Sequence, residues 1–562
     1  MPGDFGFSRA MLREHLGYRS VGRERLGVRW LPRPGGAAML VIVAALAGCA
    51  RSDSATLHPA GELSLQDAVV ATTGGSVRGA VATDHRRFEG IPYAAAPVGP
   101  LRWRPPAPAE PWPGVREATK PGRWCVQEVG AGAPVEELTS EDCLTLNVWT
   151  PTAAAPEPRP VLVWIHGGGF VKGSGDIYDA RWLAARGNIV VVTVNYRLGA
   201  LGFLAHPQLG EPGNYGLADQ QAALRWVRDN IAGFGGDPAK VTIAGESAGA
   251  MSVCDHLAAP GSAGLFRAAI IQSGPCQAQP DLAAATRISR EYAASLGCSS
   301  GADVLACLRA LPAADLAKPL WYKRFGTDHL SGPVTGTSTL PTDPMQLFAD
   351  GKAAPVPVLI GINRDEFTLF VALRYLRVGR EITAEEYPGV LADTFGEPDS
   401  AAVLRHYPPE RHSGSVSLAY AAAATDDVFA CVADRMAAGL SKSAPAVYGY
   451  EFDDPRAPAP QMFQQLPFPI GASHSLELRY LFDIGGAPPL DSAQRRLSEQ
   501  MIDYWSQFVI AGAPAVTGQP EWPTLKAVAG GDRWMSLRAD GSRLITDFAA
   551  DHRCPFWAGV PR

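Results

Sequence analysis

Short apolar runs recur along this chain, each bounded by Gly, Pro or Asn. Continuous runs of this length, rich in Val and Ile, are typical of buried strands in a mainly parallel sheet. They predict strands over residues 161–165, 189–194, 241–244, 268–271, 356–360 and 446–450.

Helical spacing of apolar residues appears between these runs. Leu224, Val227 and Ile231 share one face of a predicted helix, and residues 497–508 repeat the pattern. Strands that alternate with helices predict the α/β class, with a central, mostly parallel sheet flanked by helices. Residues 281–344 and 377–427 show no regular strand pattern, so we expect them to form helical cap insertions around a pocket.

The amino terminus has the pattern of an export signal. An arginine-bearing stretch is followed by an apolar segment, residues 36–47, which is too short to span a membrane. The junction ending at Cys49 resembles the lipobox of bacterial lipoproteins, which predicts lipidation of Cys49; the alternative is an ordinary signal peptide. We therefore expect a leader over 1–49, a tether over 50–65 and a single domain over 66–562.

Charge and cysteine content narrow the function. With 50 basic and 56 acidic residues, the formal charge is −6 and no basic run marks a nucleic-acid surface, so we expect a small-molecule substrate. Of nine cysteines, Cys49 belongs to the signal, and the other eight are an even set in a chain with an export signal. That pattern predicts disulfides in an oxidising compartment, and no spacing indicates a metal site.

The segment Gly245-Glu246-Ser247-Ala248-Gly249 follows the predicted strand 241–244. A GxSxG sequence between a strand and a helix is the pattern of a nucleophile elbow. The tight turn strains the serine backbone and leaves its hydroxyl accessible, while small neighbours let the chain fold back past it. Ser247 is therefore the candidate nucleophile.

A glycine-rich loop, residues 166–170 (HGGGF), directly follows the strand 161–165. Glycines let backbone amides converge on one point, where the N–H groups of Gly168, Gly169 and Ala248 would bind an oxyanion. The sequence does not continue as a phosphate-binding or dinucleotide-binding loop. These motifs together predict acyl transfer.

The chain resembles the type-B carboxylesterase, or cholinesterase-like, family in residues 88–94, 141–149 and 234–249. The resemblance implies the α/β-hydrolase fold and hydrolysis of carboxylic esters without a metal or cofactor. It also implies that Glu366 is the acid and His474 the base of a triad with Ser247. Because Phe367 stands where the family has glycine, Asp365 remains the alternative acid. Other histidines, such as His166 and His256, are expected to be structural.

The resemblance further implies disulfides Cys125–Cys143, Cys298–Cys307 and Cys431–Cys554; Cys254 and Cys276 remain, and the sequence leaves open whether they pair with each other. Residues 126–142 contain no tryptophan, unlike the choline-binding loop of cholinesterases, so a general ester is expected as substrate. A lipase, thioesterase or amidase would use the same residues, and a non-catalytic adhesion module has the same fold.

Overall fold

The computed structural model describes residues 68–129, 135–210, 213–299, 303–325, 328–525 and 533–560. The expected leader 1–49 with Cys49 and the tether 50–65 lie outside the described residues. The first strand begins at Val69, close to the expected start of the folded domain.

The strands, numbered in chain order, are β1 (Val69–Thr72), β2 (Gly75–Arg78), β3 (Ala80–Val81), β4 (His85–Pro92), β5 (Val115–Glu117), β6 (Trp124–Cys125), β7 (Thr139–Ser140), β8 (Thr145–Pro151), β9 (Arg159–Ile165), β10 (Val190–Val194), β11 (Gly236–Glu246), β12 (Ala268–Gln272), β13 (Lys323–Phe325), β14 (Asp328–Leu330), β15 (Val358–Asn363), β16 (Val447–Phe452), β17 (Trp534–Leu537) and β18 (Arg543–Ile545).

The helices are α1 (Val135–Leu138), α2 (Arg181–Ala185), α3 (Gly199–Phe203), α4 (Tyr215–Asn230), α5 (Ala248–Ala258), α6 (Leu282–Ser295), α7 (Val304–Ala310), α8 (Pro344–Ala349), α9 (Thr368–Val378), α10 (Tyr387–Phe395), α11 (Glu397–His406), α12 (Val416–Thr425), α13 (Cys431–Leu440), α14 (Ser492–Ala511), α15 (Phe548–Asp551) and α16 (Cys554–Trp557). Short 3-10 turns connect several of them.

The central sheet has 11 strands in the order β18-β17-β16-β15-β12-β11-β9-β10-β8-β4-β3. From β17 to β10 the neighbours pair in parallel, while β8, β4 and β3 at one edge and β18 at the other pair antiparallel. The six strands predicted from apolar runs are β9, β10, β11, β12, β15 and β16. The α/β prediction, with a mostly parallel sheet, is confirmed.

Both faces of the sheet are covered, which explains why its central strands are apolar throughout. Along β9, Val163 and Ile165 pack into one hydrophobic core, and Leu162 and Trp164 pack into a second one. Helices α4 and α5 cover the first face, and α14 covers the second. The carboxyl ends of the parallel strands thus lie together at one end of the sheet. The loops that follow these strand ends carry the candidate site.

The structure agrees with the expectation for one of the two cap insertions and differs from it for the other. Residues 377–427 are helical, with α10, α11 and α12, as predicted. The expectation that 281–344 lacks regular strands is wrong, because β13 and β14 pair there as an antiparallel hairpin. These three-residue strands contain Lys323, Arg324 and Asp328, so no apolar run marks them in the sequence.

One continuous helical segment, Val416–Leu440, joins α12 and α13 through a π-helical stretch, Asp426–Ala430. It is long and apolar enough to cross a membrane, but 83% of its apolar window is buried inside the fold. It is therefore a core helix of the described part of the chain.

Disulfides join Cys125 to Cys143, Cys254 to Cys276, Cys298 to Cys307 and Cys431 to Cys554. Three of these pairs are those that the family resemblance implies, and the remaining two cysteines pair with each other. Cys254 lies on α5, the helix that begins directly after the turn at Ser247. Its disulfide bond to Cys276 therefore links this helix to the loop after β12.

Candidate active site

Ser247 occupies the turn between β11 and α5 in a strained backbone conformation, with φ 56° and ψ −121°. Its N–H donates to the carbonyl of Gln272 on β12 at 2.9 Å, which fixes the turn to the sheet. A Cβ atom on Gly249 would overlap the carbonyl of Ile165, and one on Gly245 would overlap Gly249. The sequence therefore folds this way only with glycine on both sides of the serine.

The glycine-rich loop lies directly beside the serine. A Cβ atom placed on Gly167 would be 3.2 Å from the Cβ of Ser247, and Gly168 and Gly169 both have positive φ. In the described part of the chain, no acceptor takes the backbone N–H of Gly168, Gly169 or Ala248. Three unpaired donors next to a serine hydroxyl form a suitable site for an oxyanion.

His166 supports this loop from behind. Its Nδ1–H donates to the carbonyl of Gly167 at 2.8 Å, and the hydroxyl of Tyr196 donates to the carbonyl of His166 at 2.8 Å. Burial lowers the pKa of His166 to about 4, so the ring is neutral at pH 7. The expected structural role of His166 agrees with these contacts.

His474 and Glu366 come together although 108 residues separate them. The Nδ1 of His474 lies 2.5 Å from Oε2 of Glu366, and the backbone N–H of Asn363 donates to the other oxygen of that carboxylate at 2.8 Å. The alternative acid, Asp365, instead accepts the N–H of Ala472 at 2.9 Å. Asp365 therefore fastens the histidine loop, whereas Glu366 contacts the imidazole.

The other imidazole nitrogen, Nε2 of His474, lies 3.1 Å from Oε1 of Glu246. Burial alone would lower the pKa of His474, but the carboxylates of Glu246 and Glu366 outweigh it and raise that pKa to about 9. Burial also raises the pKa of Glu246, opposed by the positive charge of His474. The imidazole is thus held between two buried carboxylates.

A third buried carboxylate, Glu477, stands behind this pair. The side chains of Asn363 and Gln272 donate to it at 2.6 Å and 3.2 Å. Burial, together with the nearby Glu246 and Glu366, raises the pKa of Glu477 to about 8. Burial among other carboxylates thus disfavours the charged form of Glu477.

Ser247 and His474 open on a cavity of about 490 Å³ whose walls are mainly apolar. The rings of Phe370, on α9, and Phe429, in the π-helical stretch, lie 5.3 Å and 5.2 Å from the imidazole of His474 between centroids. Trp321, from the expected cap region 281–344, lines the same cavity. The cap insertion therefore contributes to the pocket, as expected.

Several residues of this site were not anticipated from the sequence. Glu246 stands inside the serine motif, which was its available signal, but nothing local indicated that it would meet His474 or Ser475. Residues 126–142 contain no tryptophan, but Trp124, just before that loop, lines the cavity. The absence of tryptophan within the loop therefore does not leave the pocket without one.

Known proteins resemble this chain over most of its length. Residues 66–557 match the model of a family described as the carboxylesterase family. The chain is 36% identical over 470 residues to an acylcarnitine hydrolase of Mus musculus, covering 78% of this chain and 81% of that protein. It is 35% identical over 475 residues to the pyrethroid hydrolase Ces2e of Rattus norvegicus, covering 78% and 80%. A solved PNB esterase matches with a TM-score of 0.72 and 32% identity, over 87% of this chain and 99% of that one.

Proposed function

The chain belongs to the carboxylesterase family and is a carboxylic ester hydrolase, and we propose that it works through an acyl-enzyme formed on Ser247. One observation carries this proposal. Ser247, His474 and the glycines of the loop, Gly168 and Gly169, line one apolar cavity, and Glu366 contacts the other side of the imidazole. An ester carbonyl placed there would meet a nucleophile, a base and oxyanion donors at once.

In the proposed first step, Oγ of Ser247 attacks the ester carbonyl carbon while Nε2 of His474 takes the hydroxyl proton. The carbonyl oxygen becomes an oxyanion that accepts hydrogen bonds from Gly168, Gly169 and Ala248. Glu366 accepts the Nδ1–H of His474 and stabilises the imidazolium. The tetrahedral intermediate then collapses, the carbon–oxygen bond to the alcohol breaks, and His474 returns its proton to the leaving alcohol.

The second step repeats this chemistry with water. His474 takes a proton from water while the water oxygen attacks the acyl carbon; the second tetrahedral intermediate then collapses, the bond from carbon to Oγ breaks, and His474 returns its proton to Oγ of Ser247 as the carboxylic acid leaves. In the structure Nε2 of His474 contacts the carboxylate of Glu246. The reaction therefore requires the imidazole to exchange this contact for one between Nε2 and the hydroxyl of Ser247. Catalytic hydrogen bonds are often completed only when substrate is bound.

For the substrate, we propose esters with a bulky apolar group. The support is the cavity of about 490 Å³ with walls of aromatic and aliphatic side chains. By their names, the mouse and rat relatives act on acylcarnitine and pyrethroid. A series of p-nitrophenyl esters tests the proposal: kcat/KM should rise from acetate to longer soluble acyl chains. A jump in rate only above the micelle concentration would favour a lipase instead.

The nucleophile is tested by an organophosphate followed by peptide mass spectrometry. The adduct should appear on Ser247 with complete loss of hydrolysis, and Ser247→Ala should take no label. Ser413, an exposed serine that also has positive φ, provides the control Ser413→Ala, which should label normally. Labelling of another residue together with full activity of Ser247→Ala would contradict the mechanism.

We also propose that the chain is exported, as the disulfides indicate, and that Cys49 carries the lipid. The relatives named above are mammalian proteins and lend no support to a lipid anchor. In a bacterial host, labelled palmitate should enter the full chain and not its Cys49→Ser variant. Equal labelling of both would reject lipidation at Cys49 and leave an ordinary signal peptide.

A further inference from the structure

Ser475, directly after the histidine, has a backbone that serine rarely adopts. Its φ is 68° and its ψ is 0°, the left-handed region in which a side chain is strained and glycine is favoured. A serine kept in such a position at a functional site points to a use for its side chain. Its hydroxyl donates to Oε1 of Glu246 at 2.5 Å, across 229 residues of sequence.

The oxygen that accepts this hydrogen bond also faces the histidine. Nε2 of His474 lies 3.1 Å from Oε1 of Glu246, so the imidazole and the hydroxyl of Ser475 share one carboxylate oxygen. Nε2 is the atom that must take the proton of Ser247 in the proposed mechanism. Glu246 and Ser247 therefore compete for the same nitrogen.

We propose that Ser475 is a positioning residue: its hydroxyl satisfies the carboxylate of Glu246 and so releases Nε2 of His474 to Ser247. The proposal rests on the acyl-enzyme mechanism proposed above. A buried carboxylate needs hydrogen-bond donors, and a donor other than the imidazole weakens its hold on that ring. Without the hydroxyl, the imidazolium becomes the main partner of Glu246.

The charged surroundings determine the direction of the expected pH effect. His474 faces Glu366 from the loop after β15, Glu246 from the end of β11 and Glu477 from its own loop, while the rings of Phe370 and Phe429 cover it. Glu246 is also near the phenol of Tyr178, which is uncharged because burial raises its pKa. Among the described residues, the imidazole and Ser475 are the groups that donate to Glu246, so losing one strengthens the other.

The test uses Ser475→Gly, because glycine adopts this backbone without strain and lacks the hydroxyl. A tighter Glu246–imidazolium pair raises the pKa of His474, so the acid limb of the kcat/KM profile should move to higher pH by about one pH unit. Well below the limb, kcat/KM should fall roughly tenfold, and above it the wild-type value should return. Ser413→Gly, an exposed serine with φ 55°, is the matched control and should leave the profile unchanged.

A second background shows whether Ser475 acts through Glu246. In Glu246→Gln the carboxylate is absent, so adding Ser475→Gly should cause no further shift of the limb. A limb that stays in place or moves to lower pH in Ser475→Gly overturns the proposal, and so does a shift that persists in Glu246→Gln. Loss of activity at every pH indicates a purely structural role and also overturns it. Organophosphate labelling of Ser247 in the same variants keeps this outcome separate from a failure of the mechanism.

Discussion

His474 and His552 are both buried, and each imidazole lies between two carboxylates. For His552, Nδ1 is 2.6 Å from Asp426 and Nε2 is 2.8 Å from Glu451. Burial opposes the charged form of both rings, but the carboxylates outweigh it and raise the pKa of His474 to about 9 and that of His552 to about 10. By local contacts alone, the two histidines are alike.

The neighbours of the carboxylates differ. Around His552, Arg553 lies 3.6 Å from Asp426 and Arg364 lies 3.2 Å from Glu451, so the ring is part of a larger ion network. The carboxylates around His474 accept instead from neutral groups, the backbone N–H of Asn363 and the hydroxyl of Ser475.

The cavity makes the second difference. His474 lines it beside Ser247, so its Nε2 has a second partner to turn to, whereas His552 does not line the cavity. A histidine between two carboxylates can therefore act as a base only where the imidazole can exchange one carboxylate contact for a contact with a reactive hydroxyl. Elsewhere the imidazolium and its carboxylates form an ion pair that stabilises the fold. The following predictions separate these two roles.

The largest expected effect is on activity. His474→Gln should lower kcat by about 10⁵-fold, because removing the base of such a triad leaves only binding and the oxyanion donors. Because Glu246 and Glu366 also lose their buried cation, the free energy of unfolding should fall by about 3–5 kcal/mol, as it should for His552→Gln. Ester hydrolysis by the purified variant, with circular dichroism as the folding check, measures both. An activity loss below tenfold would remove His474 from the mechanism.

The next effect concerns the disulfide beside His552. Cys431–Cys554 closes a loop with a sequence separation of 123, against 9 for Cys298–Cys307. Loop-closure entropy predicts that replacing both cysteines by serine costs about 5 kcal/mol of unfolding free energy for the first pair and about 2.5 kcal/mol for the second. Guanidinium unfolding of the two double variants measures the difference. The reverse order would show that loop entropy does not control these bonds.

His552→Gln should act on stability rather than on chemistry. Removing the cation leaves Asp426 and Glu451 buried with less compensation, which costs about 3–5 kcal/mol. The folded variant should keep kcat within a few-fold of wild type. His85→Gln, which breaks a histidine–carboxylate pair with exposed Asp84, is the control and should cost less than about 1 kcal/mol. If His552→Gln had the unfolding free energy of the wild type but a much lower kcat, His552 would have a role in the reaction rather than in stability.

The smallest effect is a change in the slope of stability against pH. The folded pKa of His552, about 10, lies above the ordinary histidine value of about 6.5. Its contribution is therefore complete below about pH 6.5 and is lost as pH rises to about 10. Wild-type stability should fall over this window, and the curve of His552→Gln should be flatter. Thermal melts across the range test this, and parallel curves would contradict the raised pKa.

Much of the fold was predictable because its signals are local. The six apolar runs form central strands, and the α/β class follows from their alternation with helices. The hairpin β13–β14 was missed because its short strands carry charged residues and are defined by their pairing. In the expected site, the family resemblance selects Glu366 and leaves Asp365 as the alternative, since two adjacent carboxylates at a strand end look alike in sequence.

The sequence by itself determined the strand order along the chain, the glycines that allow the turn at Ser247, and the residues that carry the family resemblance. Only the tertiary structure decided that Glu366 rather than Asp365 contacts the imidazole, and that Glu246 and Ser475 meet across the sheet edge. The physical reason is that parallel strands bring their carboxyl ends together whatever the separation in sequence. Local patterns specify each strand and turn, whereas packing specifies which of their end residues become neighbours.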